Sequence, residues 1–323
     1  TCCYIDALCF DRNGRAAVQF GVNILNFGPG ARPDAFARWA EISEALGYHS
    51  LMLSDHVAIT PGVVDRYPEP FYDCFTTLAW LAGRTTRIRL GTTVNVVPYR
   101  NPVHTARLVA NVDQLSGGRF VYGIGVGNVA AEFAVLGAPH ERRGAATNEA
   151  LRIMLALWNS SEPASLDTRY YHVQDVYGIP TLQQPHPPIW VGGGSDAALR
   201  RTARYGQAWH PILRSMDLLA QAPGDIARLK ALASEAGRPA PAFCPRIRLD
   251  LHDQVLGDDR VPGAGSIDQV RADLQRLQEL GAEHVTLDWY TGDLDATTDH
   301  ERGWRMLAVL AEQVLDLEAE TLR

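Results

Sequence analysis

Ser54-Asp55-His56 closes an apolar run, Leu51-Met52-Leu53, that reads as a buried strand. An acid beside an imidazole at such a strand end suits chemistry better than core packing. Histidine titrates near neutrality and can give or take a proton during turnover. The neighbouring carboxylate can orient the ring or accept a hydrogen bond from a cofactor; equally, the pair can satisfy loop backbone, since strand-end acids also serve structure. A second candidate is Gly192-Gly193-Gly194-Ser195, placed before a helix that starts at Asp196. Glycines let backbone N–H groups approach an anion, the helix N-terminus adds partial positive charge, and Ser195 or Asp196 can cap it. The segment reads as a phosphate site but not a Walker loop, because no Gly-Lys-Ser/Thr follows. Gly123-Ile124-Gly125-Val126-Gly127-Asn128 is a further Gly-rich strand end that a ligand can approach. Trp209-His210 and Asp288-Trp289-Tyr290 end later strands and can wall a pocket, whereas Glu141-Arg142-Arg143 reads as a salt-bridged cap. No GxSxG elbow and no HExxH set is present, so neither serine hydrolysis nor a metal site finds support.

These residues need a scaffold that brings strand ends together. Strand and helix patterns alternate from Val18 onward: strands at 18–25, 50–53, 88–97, 120–126, 189–191, 207–212, 243–251 and 284–289, with helices at 34–46, 74–81, 105–115, 148–158, 196–205, 218–235, 267–280 and about 301–317. Phe36, Trp39, Ala40 and Ile42 share one helical face, and Gly47 sits where a C-cap belongs. Eight such units imply a parallel sheet and favour an α/β architecture of the (β/α)8 TIM-barrel type over an open doubly wound sheet. No GxGxxG follows the first strand. The rhythm breaks at about 160–187, rich in Pro, Tyr and polar residues. This reads as an insertion between the fourth and fifth regular units, with the character of a functional loop or lid. Residues 1–17 read as an N-terminal extension and 18–323 as a single domain.

The 323 residues suffice for a large core, and the formal charge of -7 argues against a phosphate-backbone partner, so no nucleic-acid binding is expected. No apolar stretch is long enough to span a bilayer and no signal-type segment opens the chain, so a cytoplasmic protein without a membrane partner is expected. The five cysteines, Cys2, Cys3, Cys9, Cys74 and Cys244, form neither a disulfide framework nor paired CxxC ligands. Apolar helix faces make a homodimer the expected assembly.

Taken in order, Leu53-Ser54-Asp55-His56, Ile88-Arg89-Leu90-Gly91-Thr92, Pro98-Tyr99-Arg100-Asn101-Pro102, Leu115-Ser116-Gly117-Gly118-Arg119-Phe120 and Pro187-Pro188-Ile189-Trp190-Val191-Gly192-Gly193 resemble the luciferase-like monooxygenase superfamily, more closely its coenzyme F420-dependent branch. The resemblance covers nearly the whole chain from Val18. It implies a flavin-type ring at the C-terminal strand ends and a non-proline cis peptide at Thr93-Val94 backing that ring. It places His56 at the hydride-transferring face as the catalytic residue, and cofactor contacts at Asp55, Thr92, Thr93, Val94, Asn128, Gly193, Gly194 and Ser195. Thr60 and Trp209 fall in the substrate pocket. Thr60 stands where the F420-dependent sugar-phosphate and alcohol dehydrogenases carry a Trp, and Asn128 where they carry a catalytic Glu. Val126 stands where the bacterial luciferase branch carries a phosphate-holding Arg. The resemblance therefore implies an F420-dependent oxidoreductase acting on a small organic substrate, with His56 or the substrate itself handling protons. The alternatives are an FMNH2-dependent monooxygenase supplied by a partner flavin reductase, and a non-catalytic flavin-binding barrel.

Overall fold

A strand covered by helices on one face and by packed side chains on the other must be apolar on both. The computed structural model, which describes residues 17–323, builds its main sheet from such runs. The strands are β1 (Gln19–Ile24), β2 (Ser50–Leu53), β3 (Arg89–Thr92), β4 (Asn95–Val96), β5 (Phe120–Gly125), β6 (Ala164–Asp167), β7 (His172–Val176), β8 (Ile189–Gly192), β9 (Ala208–His210), β10 (Ala242–Phe243), β11 (Arg246–Arg248), β12 (Asp250–Leu251), β13 (Ala264–Gly265), β14 (His284–Asp288), β15 (Leu315–Asp316) and β16 (Thr321–Leu322). The α-helices are α1 (Pro33–Leu46), α2 (Pro61–Val64), α3 (Cys74–Ala82), α4 (Pro102–Leu115), α5 (Ala130–Val135), α6 (Arg143–Asn159), α7 (Asp196–Tyr205), α8 (Met216–Glu235), α9 (Ile267–Glu279) and α10 (His300–Gln313). The cysteines at 2, 3 and 9 lie outside the described residues.

The main sheet runs β10-β9-β8-β5-β3-β2-β1-β14-β11, with β4 beside β5, and every pairing in it is parallel. Its two end strands are separated only by Cys244 and Pro245. Phe243 also bridges Ala282 ahead of β14, and Arg246 bridges Ile212 beyond β9. The sheet thus curls until its edges meet, with α/β alternation throughout.

Both the strand expected over 88–97 and that over 243–251 are interrupted. The first breaks at Thr93-Val94. The second is divided around Pro245, which has no N–H to donate, and its tail β12 leaves to pair with β13. The irregular 160–187 segment contains an antiparallel hairpin, β6–β7, with a register shift between Ala164 and Leu166. The short helices α2 and α5 were not legible as periodic segments. Gly47 adopts φ 93° and closes α1 through the Ser43 and Glu44 carbonyls, as its position suggested.

Side chains alternate between two environments. Phe20, Val22, Leu51, Leu53, Leu90, Phe120, Tyr122 and Ile124 belong to the large core that includes the helices. Met52, Val121, Trp190, Ala208 and Cys244 form a separate cluster, as expected of a filled interior. Gly91 makes that filling possible: a Cβ there would lie 2.6 Å from Met52 Sδ and 2.9 Å from the Val121 carbonyl oxygen. With the interior occupied, a ligand has room only at the ends of the sheet.

Candidate active site

The C-terminal strand ends carry the polar groups. Asn26, just past β1, clamps the loop after β2: its Nδ2 donates to the Ser54 and Tyr72 carbonyls at 2.9 and 2.6 Å, and its Oδ1 accepts from Ser54 N at 3.3 Å. This clamp fixes where Asp55 and His56 emerge.

Asp55 turns inward. Its side chain is fully buried, and its oxygens accept from Asn95 Nδ2 (2.7 Å), Val96 N (2.9 Å) and both terminal nitrogens of Arg100 (2.7 and 2.8 Å). A bidentate guanidinium with two further donors commits this carboxylate. Asp55, expected to contact the cofactor, ties the end of β2 to the segment after β3 through these bonds. Asp55, Asp73 and Cys74 bring ligand-type atoms within 4.8 Å of one another, but Arg100 also bonds Asp73 at 2.8 Å. The guanidinium already supplies the positive charge that a cation would bring.

His56 remains at the surface of the site, its side chain 14 % exposed, and its Nδ1 lies 2.8 Å from Glu132 Oε2. The Glu132 side chain is fully buried. Besides His56 it accepts from Val57 N (2.5 Å), Ala58 N (3.0 Å) and Tyr99 Oη (2.9 Å). Burial pushes the Glu132 carboxyl up, but the hydrogen bonds from His56, Val57 and Ala58 outweigh it and hold it below its ordinary value. An ionised carboxylate needs a donor, so Nδ1 carries a proton and Nε2 is the nitrogen left to exchange one. Tyr67 packs at 4.8 Å and Phe71 at 5.5 Å from the imidazole, restricting its rotation. Sequence reasoning missed Glu132. Its signal was an acid inside the apolar run Ala130-Ala131-Glu132-Phe133, four residues beyond Asn128, which is itself exposed.

The peptide bond between Thr93 and Val94 is cis, at the position the resemblance implied. Val94 is partly exposed while its neighbours are buried. Glycines on the flanking strands leave room for it: a Cβ at Gly125 would fall 2.5 Å from Val94 Cγ2, and one at Gly192 3.1 Å from Cγ1. Thr92 is buried and donates to the Gly123 carbonyl at 2.6 Å, so its side chain serves the sheet rather than the mouth. Thr93 anchors a polar relay. Arg246 donates to its carbonyl at 2.7 Å and to its Oγ1 at 3.1 Å, and Oγ1 lies 2.8 Å from His210 Nε2. His210 Nδ1 lies 2.6 Å from the Cys244 carbonyl and must donate to it, so Thr93 donates to a neutral ring. Burial pulls His210 down to about 4, consistent with that tautomer. Arg246 also pairs with Asp288 at 2.5 Å, and Asp288 is steadied by Asn23 at 2.9 Å.

The Gly-rich turn lies exposed at the end of β8. Gly193 has φ 98°, a conformation that L side chains rarely adopt, nothing crowds a Cβ at Gly194, and Ser195 Oγ caps α7 by accepting from Ala198 N at 3.2 Å. Asp196, in the first turn, is neutralised by Arg200 and Arg228. Trp209 is buried, stacks on Phe243 and donates from Nε1 to the Gly193 carbonyl at 2.7 Å. Trp209, expected in the substrate pocket, thus holds the glycine turn through this bond. Thr60 precedes α2, and its Oγ1 is buried without a hydrogen-bond partner among the described residues. Arg143, expected in a salt-bridged cap, holds the Gly127 carbonyl at 3.0 Å and so pins the end of the Gly-rich strand.

Between the ends of β9, β11 and β14 lies a cavity of about 280 Å³. Tyr67, which packs on His56, lines it, together with Tyr290, Asp288 and Arg246. Trp289, between two lining residues, turns away to stack on Trp39 at 5.1 Å. His56, Val94 and the capped glycine turn all follow C-terminal strand ends, on the same side of the parallel sheet as this cavity, and Tyr67 connects the cavity to His56.

A family model described as luciferase-like monooxygenase matches residues 18–252. The phthiodiolone/phenolphthiodiolone dimycocerosates ketoreductase of Mycobacterium kansasii is 33% identical over 206 residues, covering 62% of this chain and 53% of that protein. Among solved structures, an F420-dependent secondary alcohol dehydrogenase in complex with an F420-acetone adduct superposes with a TM-score of 0.72 at 16% identity, over 90% of this chain and 98% of that one. The oxygenating constituent of 3,6-diketocamphane monooxygenase from Pseudomonas putida, in complex with FMN, superposes with a TM-score of 0.73 at 16% identity, over 92% and 97%. At these identities the structural likeness shows the fold alone. Among the described residues no helix is long and apolar enough to cross a membrane.

Proposed function

Because the chain belongs to the luciferase-like monooxygenase family, we propose that it is an oxidoreductase with a flavin-type cofactor, specifically one that moves a hydride between deazaflavin F420 and a small organic carbonyl or alcohol. The observation that carries this reading is the His56–Glu132 pair beside the mouth cavity. The residues present fit such a cofactor. Val94 stands proud between two glycines, where a planar ring can rest on it, and Gly193, Gly194 and Ser195 form an exposed turn at a helix N-terminus suited to a phosphate. When bound, the deazaflavin would supply or accept the hydride at C5.

The chain's own residues handle the proton. Glu132 holds the Nδ1 proton of His56, so a proton gained or lost by the side chain resides at Nε2. In the reducing direction His56 Nε2 donates to the substrate oxygen as the carbonyl becomes an alcohol; in the oxidising direction it takes that proton back. Glu132 therefore supplies a carboxylate that Asn128, at the family's expected position, does not. The aromatic rings of Tyr67 and Phe71 limit the imidazole to one orientation. Similarity to a ketoreductase supports carbonyl chemistry, and similarity to an FMN-bound monooxygenase supports the alternative in which the same cradle takes FMN.

A side-by-side titration of the purified protein with F420 and FMN, followed by tryptophan fluorescence, tests the assignment. Preferential F420 binding supports hydride transfer. Preferential FMN binding, with oxygen uptake in the presence of reduced FMN, replaces it with the monooxygenase reading. His56→Ala separates enzyme from simple binder: turnover collapses in the first case, while cofactor affinity stays nearly unchanged in both.

A further inference from the structure

The walls of the mouth cavity carry four arginines, Arg66, Arg214, Arg246 and Arg248, and one acid, Asp288. Asp288 is fully used: Oδ2 is held by Arg246, and Oδ1 accepts from Asn23 Nδ2 at 2.9 Å and from Tyr290 N at 3.2 Å. Arg246 is likewise spent on Asp288 and Thr93. Arg66, Arg214 and Arg248 make no ion pair among the described residues, although the chain as a whole is net acidic at -7. Three guanidinium groups without an ion pair among the described residues, around a concavity whose one acidic lining residue is already occupied, bias that concavity toward anions. Guanidinium forks match the oxygen geometry of carboxylates and phosphates.

We propose that this cavity selects a substrate bearing a carboxylate or phosphate, held by Arg66, Arg214 and Arg248 while its reacting carbon lies toward His56. The substrate assignment rests on the oxidoreductase reading above; the anion site rests on the arginines alone. The three come from different segments, the loop before α3, the stretch after β9 and the end of β11. The glycine turn proposed for the cofactor follows β8 instead. At about 280 Å³ the space suits a small organic acid or one end of a longer one.

The test uses the full chain, as wild type and as the variants Arg66→Ala and Arg214→Ala/Arg248→Ala. Each is titrated calorimetrically with inorganic phosphate and with citrate at constant ionic strength, with chloride as the control. The same proteins are titrated with F420 and FMN. The expected result is saturable binding of phosphate or citrate to the wild type, weakened by roughly tenfold or more in the double variant, while affinity for the preferred cofactor changes by less than about twofold. Absence of saturable binding to the wild type, or equal binding to the variants, overturns the proposal. Loss of F420 or FMN affinity in the variants also overturns it, by assigning the arginines to the cofactor's own acidic tail. If the wild type binds neither cofactor yet binds the anions through these arginines, the anion site stands and the oxidoreductase reading falls.

Discussion

Glu132→Gln is the sharpest perturbation of the site, because it removes one charge and nearly no volume. In the native protein four donors converge on the carboxylate, two on each oxygen: Val57 N and Ala58 N on Oε1, His56 Nδ1 and Tyr99 Oη on Oε2. In the variant the amide oxygen can keep the two backbone donors, which puts the NH2 group against Tyr99 and His56. Tyr99 can rotate its hydroxyl to accept. His56 can accept only by releasing Nδ1–H, which moves the neutral ring's proton to Nε2. Hydrogen bonds to a charged group contribute about 1.5–3 kcal/mol against about 1 for neutral ones. Neutralising the fully buried acceptor of His56 and Tyr99 should therefore cost about 2–4 kcal/mol, a fall in melting temperature of roughly 3–6 °C for a chain of this size. The catalytic effect should be larger in proportion, since Nε2 of the neutral ring changes from acceptor to donor: roughly 10²–10⁴-fold in kcat, the usual range for general acid–base assistance. The assays are steady-state kinetics across pH, thermal melting, and ¹⁵N chemical shifts of His56, which report its tautomer. A variant with the wild-type tautomer and an unchanged pH–rate profile would refute the assignment of Glu132 as the residue that positions His56, whatever its stability.

Two further outcomes follow from the same geometry. Gly125→Ala would place a Cβ 2.5 Å from Val94 Cγ2 and must displace the valine. We expect a stability loss of about 1–3 kcal/mol together with weaker cofactor affinity in a fluorescence titration, and normal affinity would mean that Val94 does not support the ring. Protonation of buried His210 is disfavoured in the folded state, where burial pulls it down to about 4. Between pH about 6.5 and about 4 the unfolded chain therefore binds a proton that the folded chain refuses. Stability from this residue is present above that window and is lost as pH falls through it, by roughly 3.5 kcal/mol at most. Urea denaturation midpoints at pH 7 and 4.5 should converge in His210→Gln relative to wild type; an identical pH slope would count against a neutral His210.

Some of this was written locally in the chain. Alternating apolar runs and helical stripes carry their own period, so the order of strands and helices was readable from short windows. His56 was readable too, because a titratable ring directly after a buried strand must sit at its end. Gly193-Gly194-Ser195 announced a turn and a cap through backbone freedom and a side-chain oxygen, both of them local properties. What the windows could not supply was the partner of each charge. Glu132 meets His56 across 76 residues, and Arg246 meets the Thr93 carbonyl across 153. Neither spacing has a period, because both meetings are created by the sheet curling its strand ends into one ring. For the same reason the hydrogen-bond partners of Asp55 and Trp209 could not be read from type and position alone. A strand-end acid faces ligand or Arg100, and a strand-end indole faces the pocket or the Gly193 carbonyl, according to which neighbour the tertiary structure brings within hydrogen-bonding distance. Sequence therefore determined which chemical groups reach the mouth, and the closed arrangement of strands decided which of them were consumed in holding it together and which were left free to act, because electrostatic and hydrogen-bond pairing depends on distance in space rather than along the chain.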